Sequence, residues 1–144
     1  MNWKNEAKNE LRNYSLLKQA IKNNKDRIAA LRAQKTAIKS SGDSTPVQGS
    51  GNMYEDRMLN LIVEEERLRY TLQANKIRLG LIERGLAALT ETERTVLLTF
   101  TENQSSVAEE ILRETIGYEH TQIYKLYNRA LYRFTIAEYG SPEF

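Results

Sequence analysis

A chain of 144 residues and 16.7 kDa has room for one domain with an appendage or for two very small ones, which excludes a large enzyme core. With 28% charged, 40% hydrophobic and 8% aromatic residues, it has the balance of a folded, highly solvated protein rather than of a disordered or membrane one. The net charge of +2 hides a gradient: residues 1–51 carry 10 bases and 4 acids, residues 52–89 carry 6 of each, and residues 90–144 carry 5 bases and 9 acids.

No apolar run approaches the roughly 20 residues of a membrane helix, and Met1-Asn2-Trp3-Lys4-Asn5-Glu6 has no apolar signal-peptide core. The expected compartment is the cytoplasm, with no membrane partner. Cysteine is absent and His120 is the single histidine. Disulfides, thiolate zinc sites, cysteine nucleophiles and histidine metal clusters are thereby removed. Glu64-Glu65-Glu66 and Glu109-Glu110 supply carboxylates without a nucleophile or phosphate loop beside them, so they read as solvated helix faces. The expectation is a non-enzyme with no catalytic residue, no metal and no cofactor.

In chain order, two helical stretches, residues 3–39 and 53–89, flank a loop at 40–52 rich in Gly, Ser and Pro. Upstream, Tyr14, Leu17, Ile21, Asn24, Ile28, Leu31, Lys35 and Ile38 follow the alternating three-four spacing of a coiled-coil seam. Downstream the spacing returns at Leu61, Glu65, Leu68, Leu72, Asn75, Leu79, Ile82, Leu86 and Leu89. If the second helix folds back on the first, residues in one layer have numbers of nearly constant sum. Tyr14 with Leu86, Ile21 with Leu79, Ile28 with Leu72 and Lys35 with Glu65 share the sum 100, and Leu17 with Ile82, Asn24 with Asn75, Leu31 with Leu68 and Ile38 with Leu61 share 99. This register sets Asn24 on Asn75 and Lys35 on Glu65, matching the polar interruptions of the two seams. Leu59, Val63, Tyr70, Ala74, Ile77 and Leu81 form a second apolar stripe roughly opposite the seam. That stripe needs either the C-terminal segment or a second copy of the chain, and the expectation is a homo-oligomer, a dimer in the first instance.

Residues 1–89 thus read as an antiparallel helical hairpin, and residues 90–140 as a second domain. Thr90-Glu91-Thr92-Glu93 is a capping box that starts a helix at Glu91, and Ser106-Val107-Ala108-Glu109 repeats the pattern for a short helix ending near Gly117. A third helix, from about Glu119 to Glu138, buries Ile123, Leu126, Ala130, Leu131 and Phe134 and stops at Gly140. Residues 141–144 form a tail. The fold class expected is all-α, a long antiparallel coiled-coil hairpin followed by a three-helix unit with a helix-turn-helix pattern.

Leu89-Thr90, Glu93-Arg94 and Val96-Leu97, then Ile116-Gly117-Tyr118, Ile123, Leu126 and Arg129-Ala130-Leu131 resemble region 4 of bacterial sigma factors, over about 50 residues. Taken with the long hairpin, Gly51-Asn52, Glu55-Asp56-Arg57, Leu59-Asn60, Leu131-Tyr132-Arg133-Phe134 and Tyr139-Gly140, the whole chain is similar to small phage and prophage sigma-region-4-like transcription regulators. The resemblance implies that the last helix enters the major groove of double-stranded DNA, with His120, Thr121, Tyr124 and Lys125 at base-contact positions. Their place near a helix N-terminus and off the apolar face permits this. Gln122, Arg129 and Arg133 fall where phosphates would be met. The chain departs from the family pattern at Tyr124, where arginine is frequent, and at Arg113, where a small residue is frequent.

The function expected is that of a phage-type DNA-binding transcription regulator. With no promoter-melting region in the sequence, it would be an activator or accessory factor acting with host RNA polymerase. Two alternatives stand beside it: a small-terminase-like DNA-packaging protein, which also joins a helix-turn-helix to a coiled coil, and a helical protein-protein interaction module without DNA affinity. Under the last, His120 caps its helix, and Tyr118, Tyr124, Tyr127 and Tyr132 complete a core or a subunit contact.

Overall fold

A computed structural model of the protein describes residues 2–42 and 50–140, which form five α-helices and, among the described residues, no strand. They are α1 (Trp3–Gly42), α2 (Ser50–Ala87), α3 (Glu91–Glu102), α4 (Ser105–Ile116) and α5 (His120–Tyr139). Part of the loop expected at 40–52 and the tail at 141–144 lie outside the described residues. At its margins α1 continues to Gly42 and α2 starts at Ser50. Serine and glycine are poor helix formers rather than absolute breakers, and extending an existing helix costs far less than nucleating one.

The helices form two compact units. One is Leu17–Ile77; the other joins the first turns of α1, as far as Leu16, to everything described from Arg78 onward. In the Leu17–Ile77 unit, Leu17, Ile21, Ile28, Ile38 and Leu68 are buried. Partner numbers fall along α2 as they rise along α1: Asn75 Nδ2 donates to Asn24 Oδ1 at 3.1 Å, and Lys35 Nζ lies 3.2 Å from Glu65 Oε1. Glu65 also gathers Arg32 at 3.6 Å and Arg69 at 3.1 Å. This bond across a partly buried seam gives the Asn75 amide and the Asn24 carbonyl a partner.

The other unit begins with Asn2, whose Oδ1 accepts from the Asn5 amide at 3.2 Å and caps α1. Ala7 and Leu11 are buried, and the Trp3 ring lies 4.8 Å from that of Tyr139. The core of α3, α4 and α5 is Val96, Leu112 and Ile123, with Phe100, Ile116, Leu126 and Tyr127 packed against it. Phe134 is fully buried and meets the end of α2 at Gly85, where an added Cβ would stand 2.7 Å from Phe134 Cε2. Glycine is therefore what lets the ring approach the α2 backbone.

Caps fix the three C-terminal helices. Thr90 and Glu93 complete the capping box of α3, while Arg94 donates from Nε to the Leu86 carbonyl at 3.1 Å and so satisfies an end group of α2. Gly117 and Gly140 take left-handed conformations, φ 78° and 70°, and terminate α4 and α5. The start of α4 differs from the sequence expectation. Gln104 rather than Ser106 occupies the cap, with no side-chain cap bond. Glu109, the expected partner of Ser106, instead meets Arg113 at 3.1 Å and His120 at 2.6 Å. Two nitrogen partners outcompete one amide for the same carboxylate.

Candidate nucleic-acid interface

The α5 face is set by its buried side. Ile123, Ala130, Leu131, Phe134 and Thr135 are buried, and at 100° per residue the opposite arc presents Thr121, Gln122, Lys125, Asn128, Arg129 and Arg133, all exposed. No acidic residue occurs between positions 120 and 134. Of the seven side chains singled out for DNA, the structure brings five onto this arc: Thr121, Gln122, Lys125, Arg129 and Arg133.

The other two lie on an edge. His120 Nδ1 is 2.6 Å from Glu109 Oε1, and its ring packs on that of Tyr124, centroids 4.6 Å apart and planes tilted by 48°. Tyr124 is half-buried and packs in turn on Phe100 at 5.3 Å. Phe100 also meets Tyr127 at 4.6 Å. This aromatic row ties the first two turns of α5 to α3 and holds the helix start in place.

On the opposite edge, Arg133 Nη1 donates to Glu93 Oε1 at 2.8 Å and Arg129 Nε lies 3.8 Å from Glu93 Oε2. Glu93 is 1% exposed, whereas the Arg129 and Arg133 side chains are 62% and 49% exposed. Burial pushes the Glu93 carboxyl up, but hydrogen bonds with Thr90 and the charges of Arg133 and Arg129 outweigh it and hold the group below the usual carboxylate range. One buried carboxylate thus caps α3 and hydrogen-bonds Arg133 at the surface, while its Oε2, with no hydrogen-bond partner, has Arg129 only at ion-pair distance.

A cleft of about 650 Å³ opens in the same unit between the start of α1 and the helices around Tyr124. Lys4, Lys8 and Arg12 line it from α1, facing Gln104, Ser105 and Asn128, and no carboxylate is among its lining residues. Burial, then the charges of Lys4 and Arg12, push the Lys8 ammonium below its usual value, the behaviour expected of crowded cations. These three bases were not among the sequence candidates, although their four-residue spacing marks one helix face. Asn128 was also missed, since an amide on a helix carries no charge signal.

Among the described residues no group of three or more His, Asp or Glu side chains is placed to hold a metal ion, and no helix is long and apolar enough to cross a membrane. No protein-family model, curated protein or solved structure matches the chain.

Proposed function

We propose that the chain is a phage-type DNA-binding transcription regulator, an activator or accessory factor that works in the cytoplasm with host RNA polymerase. In this reading α4 and α5 act as a helix-turn-helix, and α1 with α2 is an antiparallel coiled-coil hairpin that serves assembly or polymerase contact. The observation that carries it is the exposed, acid-free arc of α5. A helix presenting Thr121, Lys125, Arg129 and Arg133 on one face has the donors that base edges and phosphates accept.

Roles follow from position. Thr121 and Lys125, near the helix start, read base edges, with His120 and Tyr124 beside them. Gln122, Arg129 and Arg133 anchor phosphates, Arg133 held in aim by its hydrogen bond to Glu93. Lys4, Lys8 and Arg12 extend the cationic surface to a neighbouring backbone segment.

The test is selection of duplexes from a random pool by the full chain, followed by anisotropy titrations on the selected and a scrambled site. Selection of a reproducible sequence is expected. Recovery of none, alone or with RNA polymerase present, overturns the reading in favour of a protein-interaction module, and ring-shaped assemblies on DNA without sequence choice would favour packaging.

A further inference from the structure

Among the described residues, the second apolar stripe of α2 is left open by its own chain. Leu59, Val63, Tyr70 and Ile77 are 58%, 55%, 81% and 56% exposed, values that large apolar side chains on a continuous face rarely show without a partner. The contacts of Glu65 and Asn75 with α1 lie on the other side of the helix, so α1 does not cover this face.

The apolar positions of the stripe are spaced symmetrically about Tyr70. Counting from Tyr70, Glu66 and Ala74 stand four residues away, Val63 and Ile77 seven, and Leu59 and Leu81 eleven. At 100° per residue all lie within about 40° of the direction of Tyr70. An antiparallel two-fold interface centred on Tyr70 uses this spacing, because there the patch meets itself with residue i on j and j on i.

Charge chooses the direction. Glu55 and Asp56 stand at one end of the face and Arg84, fourteen residues from Tyr70 as Asp56 is, at the other. Antiparallel pairing brings each pair of acids to an opposing arginine and sets Glu66 by Gln73 and Ala74. Parallel pairing in register stacks Glu66 on Glu66 and acid on acid, which is destabilising where the charges lose water.

We infer that α2 docks a second copy of the chain through this stripe, antiparallel and centred on Tyr70, with Val63 level with the partner's Ile77 and Leu59 level with the partner's Leu81. The assembly joins two copies of the Leu17–Ile77 unit back to back in a four-helix arrangement. It does not depend on whether the chain binds DNA.

Because the chain contains no cysteine, single substitutions report the register without background. The full-length protein is expected to sediment as a dimer, and Tyr70→Cys to cross-link to itself under mild oxidation. Val63→Cys should not self-link, since its two copies lie about 21 Å apart along the axis, but should link to Ile77→Cys when the two variants are mixed. Tyr70→Asp should give a monomer of unchanged helicity. A wild-type monomer, self-linking of Val63→Cys, or a dimer that survives Tyr70→Asp would each overturn the inference.

Discussion

Glu93 sits where three demands meet: the cap of α3, the burial of a carboxylate and the pairing of two arginines on α5. Its folded value is held below its unfolded one, so its stabilisation is complete above the ordinary glutamate range and is lost as pH falls through the lowered folded value. Glu93→Gln should cost about 2 kcal/mol near neutral pH, from a weakened cap and lost charge-assisted bonds. Thermal melts across pH check this: the gap between wild type and variant should close in acid. Glu138 behaves oppositely. Burial first, and then Glu10, raise its carboxyl to about 7, and its Oε2 is buried without a hydrogen-bond partner. A raised value means that the contribution is present below the unfolded value and is lost as pH rises through the folded one. Glu138→Gln should therefore stabilise the protein by about 1 kcal/mol at alkaline pH and leave it unchanged near pH 4, a divergence with rising pH readable in the same melts.

Among the elements, α2 is constrained on several sides. Near its end, Gly85 admits the Phe134 ring. Gly85→Ala would gain up to about 1 kcal/mol of helix propensity but must displace a fully buried aromatic, which costs about 1–3 kcal/mol. A net loss of stability is expected in chemical denaturation. Gly80, in the same helix with open space around it, should by contrast accept alanine with a gain. The polar layer of α1 and α2 is a second constraint. Replacing Asn24 and Asn75 together by Leu should raise the denaturation midpoint while permitting slipped or enlarged assemblies, because a matched polar pair favours one register at some cost in stability. Sedimentation with the denaturation curve checks it, and a more stable protein of unchanged assembly and register would deny the pair that role.

For the whole molecule, the basic N-terminal and acidic C-terminal charge balance is modified by folding, which gathers Lys4, Lys8 and Arg12 beside Gln104 and Ser105. If DNA is the partner, replacing these three by Gln should lower the salt dependence of affinity by about 2–3 in the log–log slope and affect all duplexes alike. Lys125→Ala should instead cost roughly 1–3 kcal/mol on the selected site and less on a scrambled one. Titrations over a salt series separate the two, with circular dichroism to confirm folding. Arg133→Gln tests the anchoring role: it should reduce the slope by about 1, and an unchanged slope would leave this arginine to the Glu93 ion pair alone.

What the sequence determined by itself is what depends on neighbours along the chain. The capping box at Thr90, the left-handed stops at Gly117 and Gly140 and the two seams are local signals, since a cap or a helix face needs only a few residues to be defined. Asn24 meets Asn75 because two helices of fixed rise leave few registers that match every polar interruption. Tertiary structure decided where competing partners were available. Glu109 left the cap pattern for His120 and Arg113, His120 and Tyr124 were drawn to the aromatic row on Phe100, Arg129 and Arg133 were gathered on Glu93, and the first turns of α1 joined the C-terminal helices through Trp3 and Tyr139. A side chain takes the partner that packing brings within reach, and that distance is set by the burial of residues far apart in sequence, such as Gly85 and Phe134, rather than by any pattern around the side chain itself.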